Sequence, residues 1–173
     1  MRSFLLVALT LGFATASAEA STPKVWNQDW AVEGKPTVRI RVDDAHVSVH
    51  RGEPGRVVSR VEWESKQWGL FFGNRTPVVV FERTGNEFKI HARDASGVSV
   101  GAHIEVRFVV DVTAPKAVVL EERSTDGAVD CAPLEGKFTI ESTDGAIRGP
   151  GIKGEARVGP GEGRVTLDSL DGQ

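Results

Sequence analysis

Residues 124–173 repeat themselves. Ser124-Thr125-Asp126-Gly127-Ala128-Val129 returns as Ser142-Thr143-Asp144-Gly145-Ala146-Ile147, and a looser copy runs from Pro160 to Val165, each 18 residues after the last. Midway between them stand Glu135-Gly136, Lys153-Gly154 and Asp171-Gly172, so a charged residue followed by glycine recurs every nine residues. Two residues after each glycine come Val129, Phe138, Ile147, Ala156 and Val165, all apolar. Four residues after it come Cys131, Ile140, Gly149, Val158 and Leu167, apolar or small, and polar residues stand between the two sets. Each unit therefore holds a short strand with two inward positions and one outward position. Leu134, Ile152 and Leu170 recur only at every second unit, which makes 18 the true period.

A fixed period with stacked apolar positions predicts a β-solenoid of 18-residue coils, a β-helix or β-roll. Nine-residue hairpins in a meander would bury the same residues. The glycines are expected at corners with positive φ, each with its charged neighbour in water. The expected repeat corners are Asp126, Gly127, Gly136, Asp144, Gly145, Gly154 and Gly163. Residues 117–173 form the solenoid region, and its stop at Gln173, within a unit, is read as truncation of a longer chain.

Ahead of the repeats, residues 36–116 alternate polar and apolar over short runs. Thr37 to Val42, Ala45 to His50, Arg56 to Glu64, Val78 to Glu82, Glu87 to Ala92 and His103 to Val112 each show the period of a half-buried strand. Turns of Asp, Gly, Pro and Asn divide them. The reading is an antiparallel, sandwich-like half that runs into the solenoid. Nineteen glycines, a single methionine and the absence of a helical period make the whole fold all-β. Residues 19–35, with Trp26 and Trp30, read as a polar leader whose tryptophans cover an open end of the sheet.

Residues 1–18 read as a signal peptide. Arg2 is the basic region, Phe4 to Ala14 the apolar run, and Ala16-Ser17-Ala18 the small residues before cleavage. The run is short for a bilayer span, and no later segment is long and apolar enough to cross one. The chain is thus expected to be exported, to the periplasm, the outer surface or the medium, with no transmembrane segment after cleavage. With one cysteine, Cys131, it has no internal disulfide. A net charge of −3 gives no case for nucleic acid.

The signal peptide, the Val-Asp-Asp-Ala-x-Val-x-Val segment from Val42 to Val49, and the Thr125-Asp126-Gly127 and Thr143-Asp144-Gly145 motifs together resemble the bacterial putative-adhesin domain family, a domain of unknown function. The resemblance implies an exported β-rich protein at the cell envelope, and it implies no catalytic residues.

Chemistry-bearing residues are few. Asp126, Asp144 and Glu162 recur on one edge as oxygen donors for calcium, but the Gly-Gly-x-Gly-x-Asp run of calcium rolls is missing. His46 and His50 share a strand face, and His91 and His103 are placed to meet across a hairpin; neither pair has a third ligand in place. Cys131 falls at an inward position and reads as core. The most concentrated aromatic stretch, Trp68, Leu70, Phe71 and Phe72, is the candidate partner-binding loop, with a lid over the sheet as the plain alternative. The expectation is a non-enzymatic envelope or surface binding scaffold without metal or cofactor, directed at a cell-surface glycan or an envelope protein. A glycan-processing β-helix enzyme and a calcium-stabilised β-roll are the alternatives.

Overall fold

The computed structural model describes residues 23–68, 76–94, 103–159 and 164–168. Every regular element among them is a strand: β1 (Lys24–Ala31), β2 (Thr37–Val42), β3 (Ala45–Arg51), β4 (Arg56–Trp68), β5 (Val78–Thr84), β6 (Glu87–Arg93), β7 (His103–Ala114), β8 (Ala117–Ser124), β9 (Val129–Cys131), β10 (Glu135–Ser142), β11 (Ile147–Pro150), β12 (Lys153–Val158) and β13 (Val165–Asp168). They form two sheets with a shared core between them. One has the order β1-β4-β7-β3-β9-β11-β13, the other β12-β10-β8-β2-β6-β5.

From β8 onward, successive strands alternate between the sheets. Each pairs in parallel with the strand one repeat away. Val129 lies opposite Ile147 and Ile147 opposite Val165; Leu120 lies opposite Phe138 and Phe138 opposite Ala156. The 18-residue period of the sequence is thus the pairing register, and the hairpin meander is excluded for these strands. The corner backbone joins the same ladder: the Val129 amide donates to the Ala146 carbonyl (2.9 Å) and the Thr143 amide to the Thr125 carbonyl (3.1 Å).

The expected antiparallel first half is corrected. β2 and β3 do not pair with each other; they lie in opposite sheets. β2 pairs in parallel with β6 and β8, and β3 in parallel with β7 and β9. Antiparallel pairing joins β1 to β4, β4 to β7, and β5 to β6. The reason is local. Alternation reports that one face is buried, and it reads the same whether the next turn folds the chain back or sends it across the core. Asp43-Asp44 sends it across, with Asp44 at a φ of 42°.

This corner is also a repeat that composition hides. Val42 lies opposite Ser124, and Val47 opposite Val129. Val42-Asp43-Asp44-Ala45-His46-Val47 therefore occupies the same place in its layer as Ser124-Thr125-Asp126-Gly127-Ala128-Val129. The two halves of the chain share both sheets, with β8 beside β2 and β9 beside β3.

The alternating positions fill the core as expected. Val38, Ile40, Phe88, Ile90, Phe108, Val110, Leu120, Val129, Leu134, Phe138, Ile140 and Ile152 are buried. The tryptophan-bearing stretch read as a leader contains β1. Trp30 from that strand is buried against Phe88 and Phe81, with ring centroids 5.0 and 5.9 Å away. One expected inward residue departs: Val165 is 47% exposed, since no described layer lies beyond its strand.

Candidate functional site

The corner residues have structural roles. Asp44, Asp126 and Asp144 succeed one another along one edge of the stack. Loss of solvent, and then the Asp44 and Asp144 carboxylates, raise the Asp126 carboxyl above its ordinary range. Among the described residues no group of three His, Cys, Asp or Glu side chains has the geometry to hold a metal ion. Gly127 adopts a φ of 115°. Gly145 does not take a left-handed conformation, and its reason for being glycine is proximity: a Cβ there would sit 1.5 Å from the Gly127 carbonyl oxygen. Gly136 and Gly154 take the expected positive φ, 148° and 119°, as the second residues of β10 and β12. Gly163 and Glu162 lie outside the described residues.

Of the aromatic stretch, Trp68 is the last residue of β4, and Leu70, Phe71 and Phe72 lie outside the described residues. His46 and His50 do share the outer face of the seven-stranded sheet. His46 Nε2 stands 3.4 Å from Asp130 Oδ2, and His50 Nε2 stands 3.9 Å from Asp111 Oδ1. Their neighbours are carboxylates one strand away, which explains the shared face without a metal. His91 and His103 belong to different sheets, so the expected hairpin pair is corrected.

Two titratable groups are sealed in the core. Cys131 is a free thiol, pushed up to about 12 by burial and then by the nearby Glu122 and Asp130 charges. Thiolate chemistry is therefore suppressed near neutral pH. Glu122, which sequence reasoning missed, points inward between Ile40 and Ile140 and is 2% exposed. Burial pushes its carboxyl up to about 7; the Ser124 hydroxyl offsets part of this without meeting hydrogen-bond geometry. Neither carboxylate oxygen has a hydrogen-bond partner among the described residues. The signal was present: Val118, Leu120, Glu122 and Ser124 continue one alternation.

The groups that face solvent lie in cross-strand rows on the outer face of the six-stranded sheet. One row runs Glu82, Lys89, Arg39, Glu121, Thr139, Arg157. The next runs Val80, His91, Arg41, Arg123, Glu141. In the first, Arg39 donates to both Glu121 and Glu87 at 2.7 Å. In the second, Arg123 is paired with Glu141. Arg39, Arg41, Lys89, His91, Glu82 and Val80 line an open groove of about 260 Å³. A second groove, lined by Arg39, Arg41, Glu121, Arg123 and Glu141 among others, holds about 120 Å³. Arg41 borders both.

Scanned against known protein families, the sequence matches none, and no curated protein matches it. Two solved structures align with it at low identity. A putative cell adhesion protein from Clostridium sporogenes aligns at 10% identity and a TM-score of 0.47, over 85% of this chain and 73% of that one. A putative adhesin from Parabacteroides merdae aligns at 10% identity and a TM-score of 0.34, over 82% of this chain and 66% of that one. No helix among the described residues is long and apolar enough to cross a membrane.

Proposed function

We propose that this chain is an exported, adhesin-like binding scaffold of the cell envelope, without enzymatic activity, built on a β-solenoid. The observation that carries the reading is the placement of charge. Outward side chains stand in continuous rows across a rigid sheet. The two groups with strongly raised values, Cys131 and Glu122, are shut inside the core. Such a wall suits recognition of an extended ligand, whose affinity comes from repeated polar contacts along a surface that does not reorganise.

The solenoid reading rests on the two parallel ladders at an 18-residue register, with each strand crossing to the opposite sheet. The β2–β3 segment follows the same path, in parallel register with β8 and β9, so the coil extends toward the amino terminus beyond the visible repeat. Export rests on the Phe4 to Ala14 apolar run and the Ala16-Ser17-Ala18 site.

The test is fractionation followed by sedimentation. The chain is expected outside the cytoplasm, shortened to begin at Glu19, and the purified mature form is expected to co-sediment with isolated envelope material. A cytoplasmic, full-length product would overturn export. Release of reducing ends from envelope polysaccharide by the purified chain, above buffer, would overturn the non-enzymatic reading.

A further inference from the structure

We infer that the groove on the outer face of the six-stranded sheet binds an anionic polysaccharide, gripping its carboxylate or phosphate groups with Arg41, Lys89 and His91. The inference deepens the scaffold reading above by naming the site and the ligand class.

The charge count of the groove comes first. Its lining holds Arg39, Arg41, Lys89 and His91 against the single carboxylate of Glu82. Arg39 is already taken by Glu87 and Glu121, and Lys89 Nζ shares Glu87, at 3.4 Å. Arg41 has no such partner among the described residues. His91 and Arg123 stand beside it on the neighbouring strands. Arg123 is held by Glu141 on its far side. Like charges on adjacent strands repel at the spacing of a sheet ladder. An oxyanion placed between them would relieve that repulsion and accept the guanidinium fork of Arg41.

The shape selects the class of anion. At about 260 Å³ the groove is smaller than an ordinary small-molecule pocket. A second groove shares Arg39 and Arg41 with it and reaches Arg123 and Thr139, where the Glu121 and Glu141 carboxylates are already held by Arg39 and Arg123; two adjoining sites favour a chain over a single ion. Val80 is 39% exposed at its edge and offers an apolar wall for the carbon face of a sugar ring. The Glu82 carboxylate can accept from sugar hydroxyls. Nucleic acid is disfavoured, because neither groove contains a Phe, Tyr or Trp side chain on which bases could stack.

The experiment measures binding of the mature chain to polygalacturonate, polyphosphate and neutral dextran at low salt, beside sedimentation with envelope material. The variants are Arg41→Gln, Arg41→Gln with Lys89→Gln, and Arg148→Gln on the opposite sheet as control. Arg41 is exposed and Lys89 half-buried, and unchanged thermal unfolding would confirm that the fold is intact. Expected are binding to one or both polyanions, none to dextran, and loss in high salt. Arg41→Gln should weaken binding about tenfold, the double variant further, and Arg148→Gln should have no effect. Polygalacturonate alone would assign the site to carboxylates, polyphosphate alone to phosphate groups. Equal binding by wild type and the double variant, or equal binding to dextran, would overturn the groove. If envelope binding survives the double variant, the groove falls and the scaffold reading stands. If polyanions bind through Arg41 but envelope material does not, the groove stands and the scaffold reading falls. Binding to neither removes both.

Discussion

The two ends of the stack differ. At one, β1, β4 and β5 run antiparallel to their neighbours and close the core with large rings: Trp30 of β1 lies on Phe88 and Phe81. At the other, β12 and β13 repeat the parallel pattern with smaller side chains. Ala156 stands where Phe138 and Leu120 stand in the layers before it, and Val165 is left 47% exposed. The same repeat is therefore a packed interior layer or a thin outer one, according to what covers it. A repeat fixes the path of the chain, and the neighbours fix the energy of each copy.

The closed end gives the largest expected effect. Trp30→Ala removes the ring that seals the aromatic cluster and opens a cavity no neighbour can fill. It should destabilise the fold by about 3–5 kcal/mol, read by urea unfolding. A loss below about 1 kcal/mol would show that the tryptophan is an ornament on an end already closed.

Next come the corner glycines between layers. Gly145→Ala places a Cβ 1.5 Å from a carbonyl oxygen of the layer beneath, which is backbone and cannot swing aside. We expect a loss of about 3 kcal/mol or more. Gly34→Ala, with φ of 61° but open space around the missing Cβ, isolates the conformational cost, about 1 kcal/mol. Equal losses at the two sites would mean that the layers do not depend on close approach at their corners.

These glycines show what the sequence made legible. The repeat announced its register because each copy carries the same residues at the same distance, and parallel in-register pairing places like on like. Phe138, Ile147, Cys131 and Ile140 went inward as the alternation required. The earlier layers were obscured for a physical reason. Ala45 stands where the repeats have glycine, and the strands that close the end, β4 and β5 among them, are inserted between β3 and β8, so constant spacing is lost. The choice between a hairpin and a crossing is made by the corner, and Asp43-Asp44 suits either. The groove was invisible because its residues come from β2, β5 and β6; only the register brings Arg41, His91 and Val80 into one row.

Glu122 tests how dry the middle of the stack is. Its carboxyl is pushed up to about 7 from an ordinary value of 4.5, so the folded state holds a proton that the unfolded chain has released over that window. The sign follows: this group's contribution to stability is most favourable below the ordinary value. Stability then falls as pH rises from about 4.5 to about 7, and is level above it. The span should be on the order of 2–3 kcal/mol, and Glu122→Gln should flatten it. A wild-type profile already flat from pH 4.5 to 7 would mean that water reaches the carboxyl and that the middle is as open as the thin end.

The smallest effect belongs to that thin end. Val165→Ser removes an apolar side chain from the same register column as Val129 and Ile147, but from a position half in water. Little apolar area is withdrawn from solvent there, so the change should stay within about 0.5 kcal/mol. Val129→Ser, two layers inward and fully buried, should cost several times more, because it adds an unpaired hydroxyl to the loss of packing. The ratio of the two is the useful number. If Val165→Ser cost as much as Val129→Ser, the outer layer would be covered in solution by something that buries it. The contrast between the two ends would then belong to the isolated chain and not to the protein at work.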